Sequence, residues 1–347
     1  MCGIQAQVMS ACEFALGARV EGLTPKLIRS ELWDRRSLVK TYGPRGTLHV
    51  LPARELPMWM AAMRAIPNHQ GAMWYAVPGL GRAQVDALVA AIRDALDGRQ
   101  LTREKLASEV AARVGSWAQE RLQSTWGELL GPAAISGALC FGPSRGTNVT
   151  FARADQWIGG WHDADPHAAI LQVLRRFLSA YGPARPQEFA RWFVTKPATA
   201  ATLFSEIGDE LVAVNVEGQA AWMTAGDSNE NIEESRDLVN LVPQYDTFVF
   251  GSRPREQLMT EAVHKRIRSY RRGRFEGGVA LSTVLVDGRV AGIWERRVLV
   301  RRVEVAFEPI VALTARQLKN LNAEVVSVGE FYGREASLTS GPLKETG

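Results

Sequence analysis

The chain has 347 residues, 46% of them apolar and 22% charged, and 41 Lys and Arg against 37 Asp and Glu leave a net charge of only +4. This is the balance of a folded protein of several compact units, and it excludes a polycation: affinity for nucleic acid has to come from where the arginines sit. Cys2, Cys12 and Cys140 are widely spaced and without metal-ligand spacing, no apolar run approaches a membrane span, and no signal pattern opens the chain, so the expectation is a cytoplasmic protein with reduced, buried thiols.

The first stretch with chemistry in it is Gly3-Ile4-Gln5-Ala6-Gln7. On a helix Gln5 and Gln7 would diverge. On an extended segment both amides face one way while Ile4 and Ala6 turn to the core. Each amide offers a carbonyl acceptor and an NH2 donor, so a side-by-side pair can hold and orient a water. Val8 to Arg19 then reads as a core helix, through Val8, Ala11, Cys12, Ala15 and Leu16. Thr24-Pro25 opens another, as N-cap and first position, with Leu27, Ile28 and Leu32 inward. Ser37 to Tyr42 and Gly46 to Leu51 are β-rich and joined by the turn Gly43-Pro44-Arg45. Helix, helix and hairpin make the end of a winged helix. Arg45, Thr47 and His49 fall on alternate positions of the second strand, hence on one face, where they can touch a phosphate or a reacting water.

Ala53 to Ala65 reads as a connecting helix and Arg82 to Leu96 as a second one. Thr102 caps a third with Leu106, Val110 and Val114 as its stripe, and Gln123 to Ala138 is the expected recognition helix. Leu139 to Phe141 and Asn148 to Phe151 flank a Gly/Pro-rich, basic wing that carries Arg145. Pro166 opens a third repeat of helices from His167, Arg185 and Pro197, ending in a hairpin about Glu217-Gly218. Ala225 to Asp237 is a polar linker. Beyond it Val279 to Val286, Arg289 to Arg297, Val298 to Phe307 and Val325 to Tyr332 read as strands, with Asp287-Gly288 the strongest hairpin turn in the chain. The fold class is therefore α+β: tandem winged-helix (helix-turn-helix) units followed by a small C-terminal β-barrel or sheet. The boundaries are 1–66 for the first unit, 67–152 for connector helices and the second, 153–226 for the third, and 227–347 for linker and β-rich domain.

Repeated winged helices imply double-stranded DNA as the partner, since a helix of each fits a groove and the wings reach phosphates. Arg45, Thr47, His49, Arg145, Lys196, Arg253 and Arg289 are the candidate DNA contacts, and the clusters Arg35-Arg36, Arg266 to Arg274 and Arg296 to Arg302 point the same way. Glu128 and Asp246 are the carboxylates to check for proximity to a cleft. His69, His162, His167 and His264 form no ligand cluster, and there is no glycine-rich phosphate loop or nucleophile elbow, so neither metal nor cofactor is expected.

Gln5-Ala6-Gln7, the run Leu38 to Ala53, Leu241-Val242-Pro243-Gln244-Tyr245-Asp246 and Val284 to Trp294, in that order, resemble the winged-helix DNA glycosylases that unhook interstrand crosslinks (the AlkZ and YcaQ type). The Gln-apolar-Gln form is similar to the AlkZ branch; the other branch carries Asp at the second position. The resemblance implies a monofunctional alkylpurine DNA glycosylase, nucleoid-associated and monomeric, with Gln5 and Gln7 catalytic and no deep base-flipping pocket. The chemistry agrees. An amide is no general base at neutral pH, but it can place a water and aim its carbonyl dipole at developing positive charge. That suffices for a cationic N7-alkylpurine, crosslinked guanine included, which leaves as a neutral base. The alternative is a winged-helix regulator or DNA-structure binder without catalysis. In the family a further helix precedes the two glutamines, whereas Met1 here falls almost on top of them; the expectations that go with this are a true start upstream and a more stable protein when extended there.

Overall fold

A computed structural model describes residues 1–66, 79–123, 129–227, 236–270 and 280–343. The chain forms two compact units, Met1–Ala6 with Arg29–Ser228, and Gln7–Ile28 with Asn229–Gly347. Its elements are those of an α+β protein, winged-helix units followed by a curled C-terminal sheet.

In the first unit β1 (Ile4–Gln5), β2 (Leu38–Tyr42), β3 (Leu48–Pro52), β4 (Leu101–Thr102), β5 (Cys140–Arg145) and β6 (Asn148–Ala152) make one six-stranded sheet in the order β1-β3-β2-β5-β6-β4. The order is two copies of one motif. Each wing hairpin carries a short strand on its outer side, β1 on β3 and β4 on β6, and the hairpins meet where Lys40 pairs with Phe141. The connecting helix, Leu56–Ala65, is a core element: Trp59, Met60, Ala61, Ala62 and Met63 are all inaccessible to solvent. It packs against the helix Pro166–Tyr181.

Of the expected helix over 123–138, the described residues show Leu130–Ile135 as helix, while Gln123 closes the helix Trp117–Gln123 and 136–138 lie past the helix end; residues 124–128, with Glu128, lie outside the described ones. Pro132 stands in the first turn of Leu130–Ile135: Pro has no amide proton and its ring clashes with the preceding turn, so it is accommodated at the start of a helix and not in the middle of one. The third repeat follows this rule three times: Pro166–Tyr181, Pro186–Phe193 and Pro197–Glu206 each begin at proline. Its wing, β7 (Leu211–Val216) with β8 (Gln219–Thr224), is anchored by a bridge from Trp222 to Ala184. Phe177, Phe189, Trp192, Phe193 and Phe204 fill the space beneath.

The second unit is a five-stranded sheet in the order β13-β12-β11-β10-β9, formed by β9 (Val239–Val242), β10 (Thr283–Val286), β11 (Arg289–Val298), β12 (Arg302–Pro309) and β13 (Glu335–Ser340). Asp287 and Gly288, both at positive φ (48° and 76°), make the tight β10–β11 turn that the sequence signals. The expected strand over 325–332 is corrected to helix, the C-terminal part of Ala315–Tyr332. Leu321, Val325, Val328 and Phe331 are its large buried side chains, three and four apart, and Thr314 with Gln317 closes a capping box at its start. This helix joins β12 to β13 in parallel and touches both β13 and β9, the two outer strands, so the sheet curls around it. Phe14 packs on Trp294 and Phe331, with ring centroids 5.4 and 5.6 Å apart, and Gly17 leaves no room for a Cβ against the Phe331 ring.

Asp246 belongs to this scaffold. Its carboxylate takes both arms of the Arg19 guanidinium at 2.7 and 2.8 Å and caps the following turn through the Phe248 amide at 2.9 Å, with no side-chain surface left. Removing one partner of a buried pair leaves an uncompensated charge, typically about 3–5 kcal/mol. Asp246→Ala is expected to lower the free energy of urea unfolding by about 3 kcal/mol, toward the low end because Arg19 keeps some solvent contact. A loss below about 0.5 kcal/mol, the scale of an ordinary surface change, would show that the pair is not a structural clamp.

Candidate active site

Gln5 is placed by backbone pairing. In the register of β1 on β3, Ile4 faces Val50 and Gln5 faces His49; on the other side of β3, His49 faces Thr41 of β2. Directly opposed residues project to the same face, so Gln5, His49 and Thr41 form one row across three strands. All three are buried, at 4%, 1% and 0% exposure. The second copy of the motif carries the rows Leu101–Phe151–Phe141 and Thr102–Thr150–Gly142, the latter with Thr150 fully buried and its hydroxyl donating to the Pro143 carbonyl at 2.7 Å. Burying polar groups costs free energy unless each finds a partner.

The row is partly satisfied, and the pattern fixes its protons. The Thr47 hydroxyl donates to the Pro44 carbonyl (3.3 Å) and accepts from Nε2 of Gln5 (3.3 Å). Nδ1 of His49 lies 2.9 Å from the Thr47 carbonyl, which can only accept, so Nδ1 carries the proton. Nε2 is then the acceptor, and the Arg45 guanidinium donates to it at 3.3 Å. Burial, reinforced by the charge of Arg45, pushes the imidazole down to about 3, so it is neutral at neutral pH. Gly43 makes room for the ring, since a Cβ there would lie 2.9 Å from it; Gly3, at φ 85°, closes the other side with a Cβ position 2.6 Å from Leu51. Two buried oxygens in the row, Oε1 of Gln5 and Oγ1 of Thr41, have no hydrogen-bond partner among the described residues.

Several sequence expectations change here. Arg45, Thr47 and His49 do not lie on one strand: Arg45 sits in a tight turn at φ 60°, Thr47 follows it, and only His49 is within β3. The five-residue connection, Gly43 to Thr47, carries Arg45 to a place where its guanidinium lies 5.8 Å from the ring centre of Trp192. The extended segment also stops short. β1 ends at Gln5, Ala6 is buried with its amide bonded to the Leu48 carbonyl (2.7 Å), and Gln7 is exposed in the bend before the helix Met9–Gly17. Thr41 enters the row with no mark in the sequence beyond the hairpin register.

Among the other candidates, Arg145 is exposed on the β5–β6 wing with one contact to the Gln100 carbonyl, and Lys196 is exposed at the start of Pro197–Glu206. Arg289 is exposed and reaches the Glu256 carbonyl; Arg253, half-buried, precedes Pro254. The arginine clusters are partly used up inside the protein. Arg36 stacks on Trp157, Arg266 pairs with Glu308, Arg296 lies over Phe14 and bonds the Tyr332 hydroxyl, and Arg302 pairs with Glu304. Arg297, Arg301 and Val300, the last 89% exposed, remain at the tip of the β11–β12 hairpin. Residues 271–274 and His69 lie outside the described ones. Among the described residues no group of three His, Cys, Asp or Glu could hold a metal, and no helix is long and apolar enough to cross a membrane.

Winged-helix units followed by a curled C-terminal sheet define the class as a winged-helix protein. The model of the AlkZ-like DNA glycosylases matches residues 1–331, and the chain belongs to that family. It is 33% identical over 303 residues to the interstrand DNA cross-link repair glycosylase of Streptomyces sahachiroi, an overlap of 85% of this chain and 80% of that one. The solved structure of the Streptomyces sahachiroi DNA glycosylase AlkZ superposes with a TM-score of 0.85 at 28% identity, covering 98% of this chain and 91% of that chain. The protein is therefore a DNA-binding repair enzyme.

The neutral His49 has a consequence for stability. Its folded pKa, about 3, lies below the ordinary value of 6.5, so the unfolded chain binds the extra proton first. The stabilisation is complete above pH 6.5 and is lost as pH falls toward 3. Between pH 7 and pH 5 the wild type is expected to lose about 2 kcal/mol more than His49→Gln does, read from urea unfolding at both values. Equal pH slopes for the two proteins would mean that the imidazole is protonated in the folded state.

Proposed function

We propose that the protein hydrolyses the N-glycosidic bond of cationic N7-alkylpurines in double-stranded DNA, bulky and interstrand-crosslinked guanine adducts included, with a water held by Gln5 and Gln7. The observation that carries this reading is the Gln5 side chain: a buried amide with its NH2 engaged and its carbonyl oxygen unpartnered among the described residues. The oxygen of the attacking water bonds to C1′ as the C1′–N9 bond breaks. The electron pair of that bond passes into the purine and cancels the charge at N7. The products are a neutral alkylated base, an abasic sugar with a hydroxyl at C1′, and a proton released to solvent. No group has to protonate the leaving base. The protein supplies an acceptor that orients the water and a negative dipole end toward the oxocarbenium-like sugar. Because water and not an amine attacks, the enzyme is monofunctional. The relative named for cross-link repair supports extension of the substrate to bulky adducts.

Phosphate contacts come from exposed cations such as Arg145 on its wing and Arg297 and Arg301 on the β11–β12 hairpin, whose tip also presents Val300, an apolar group suited to a base step. DNA affinity is expected to fall steeply with salt and to depend weakly on sequence. Arg145→Ala should weaken binding uniformly and lower the log–log salt slope by roughly one. An unchanged slope would remove Arg145 from the interface.

The catalytic test is release of free 7-methylguanine from methylated duplex DNA under single-turnover conditions. Gln7→Ala and Gln5→Ala are each expected to slow release on the order of a hundredfold, with little change in DNA affinity, because the lost contact is made mainly in the transition state. Uracil should not be released by the wild type. If the Gln5→Ala, Gln7→Ala double variant releases alkylguanine at the wild-type rate, or if the wild type releases none, the glutamine mechanism is wrong.

A further inference from the structure

An amide presents two ends of nearly equal size and opposite polarity. Turned one way, Gln5 offers an acceptor to a water and a negative dipole end to a developing sugar cation; turned the other way, it offers a donor that repels the cation. Something in the structure has to choose. The strand pairing of Gln5 with His49 fixes where the side chain goes but not which end it shows.

The choice is made at Thr47. Its backbone is held on both sides: the amide bonds the Pro44 carbonyl (3.4 Å), while the carbonyl accepts from the Gly43 amide (2.9 Å) and from Nδ1 of His49 (2.9 Å). A β-branched side chain on a fixed backbone has little rotamer freedom. The single hydroxyl proton is given to the Pro44 carbonyl, so the hydroxyl oxygen can only accept from Gln5, and Gln5 can only present Nε2 to it. The reversed amide would either bring two acceptors together or take the hydroxyl proton away from the Pro44 carbonyl. We propose that Thr47 is a positioning residue for the reaction: its hydroxyl sets the Gln5 amide with Nε2 inward and leaves Oε1 as the free, buried acceptor for water and sugar. The same commitment leaves the hydroxyl no proton for a phosphate, which separates this role from a DNA contact. The proposal rests on Gln5 acting in the chemistry, and its test is arranged to tell the two apart.

Thr47→Val keeps the shape and removes the hydroxyl; Thr47→Ser keeps the hydroxyl. Single-turnover release of 7-methylguanine is expected to fall on the order of a hundredfold in Thr47→Val and to return to within a few-fold of the wild type in Thr47→Ser, with equal DNA affinity in both. In a Gln5→Ala background Thr47→Val should cost nothing further, since it acts through the amide that is no longer there. Thr47→Ala gives the same readout if the valine variant does not fold. A slow Gln5→Ala with a fast Thr47→Val would overturn the positioning role and leave the proposed function intact. A Gln5→Ala variant with full activity would overturn the proposed function itself. Weaker DNA binding in Thr47→Val, with a normal rate on bound DNA, would make Thr47 a binding residue and overturn the proposal.

Discussion

The site depends on one short piece of backbone pairing. β1 is two residues long, and it is held on β3 by the Ile4–Val50 and Gln5–His49 register and by the Ala6 amide on the Leu48 carbonyl. Ile4 and Ala6 are buried beside it, so apolar burial, not the hydrogen bonds alone, keeps the strand in place. The pairing carries a polar amide into a region closed to solvent. There a fixed dipole is worth far more than it is in water, and it has no solvent shell to reorganise when charge develops on a substrate. The same short strand recurs as β4 beside the second wing, where Leu101 and Thr102 pair with Phe151 and Thr150.

The chemistry asked of this row suits its neutrality. His49 is uncharged because burial and Arg45 both oppose its protonation, and its two nitrogens are spent, one donating to Thr47 and one accepting from Arg45. The row therefore contains amide, hydroxyl and neutral imidazole, with no acid or base poised near neutrality. Such a site cannot drive off an uncharged base. It can assist a base that is already a cation, where the leaving group needs no proton and the sugar needs only a water and a negative dipole end. Under the proposed function, bulky and crosslinked adducts fit the same logic, because a reaction assisted from a short edge strand does not call for enclosing the base in a deep pocket.

What the sequence made legible was local. The turns at Gly43–Arg45 and Asp287-Gly288 and proline at the starts of three helices all act within a few residues, and each was readable without the fold; the extended segment expected to carry Gln5 and Gln7 together ends at Gln5. The misreadings have equally specific causes. Val325, Val326 and Val328 look like strand because they are β-branched, but the apolar face at Leu321, Val325, Val328 and Phe331 has helical spacing, and the capping box at Thr314 commits the chain to helix. Asp246 looked like a site carboxylate because its partner, Arg19, lies 227 residues away in sequence. Arg36, Arg266 and Arg296 looked like a DNA surface, and each engages a partner that only the tertiary structure brings near, while Arg302 pairs with Glu304 two residues along its own strand. Thr41 and the proton pattern at Thr47 could not be read at all, because they follow from strand register and hydrogen-bond direction, not from residue type.

The central claim is that neutral groups carry the reaction, and the pH dependence of the chemical step tests it most directly. The measurement is the single-turnover rate of 7-methylguanine release at saturating enzyme from about pH 5 to about pH 7, where the alkylated base keeps its charge and a catalytic carboxylate or imidazole would reveal itself. Glutamine amides do not titrate there, and His49 titrates near 3, so the account predicts a rate that is flat across the range. A rate that changes about tenfold per pH unit through any part of it would place an ionising group in the reaction and contradict the account.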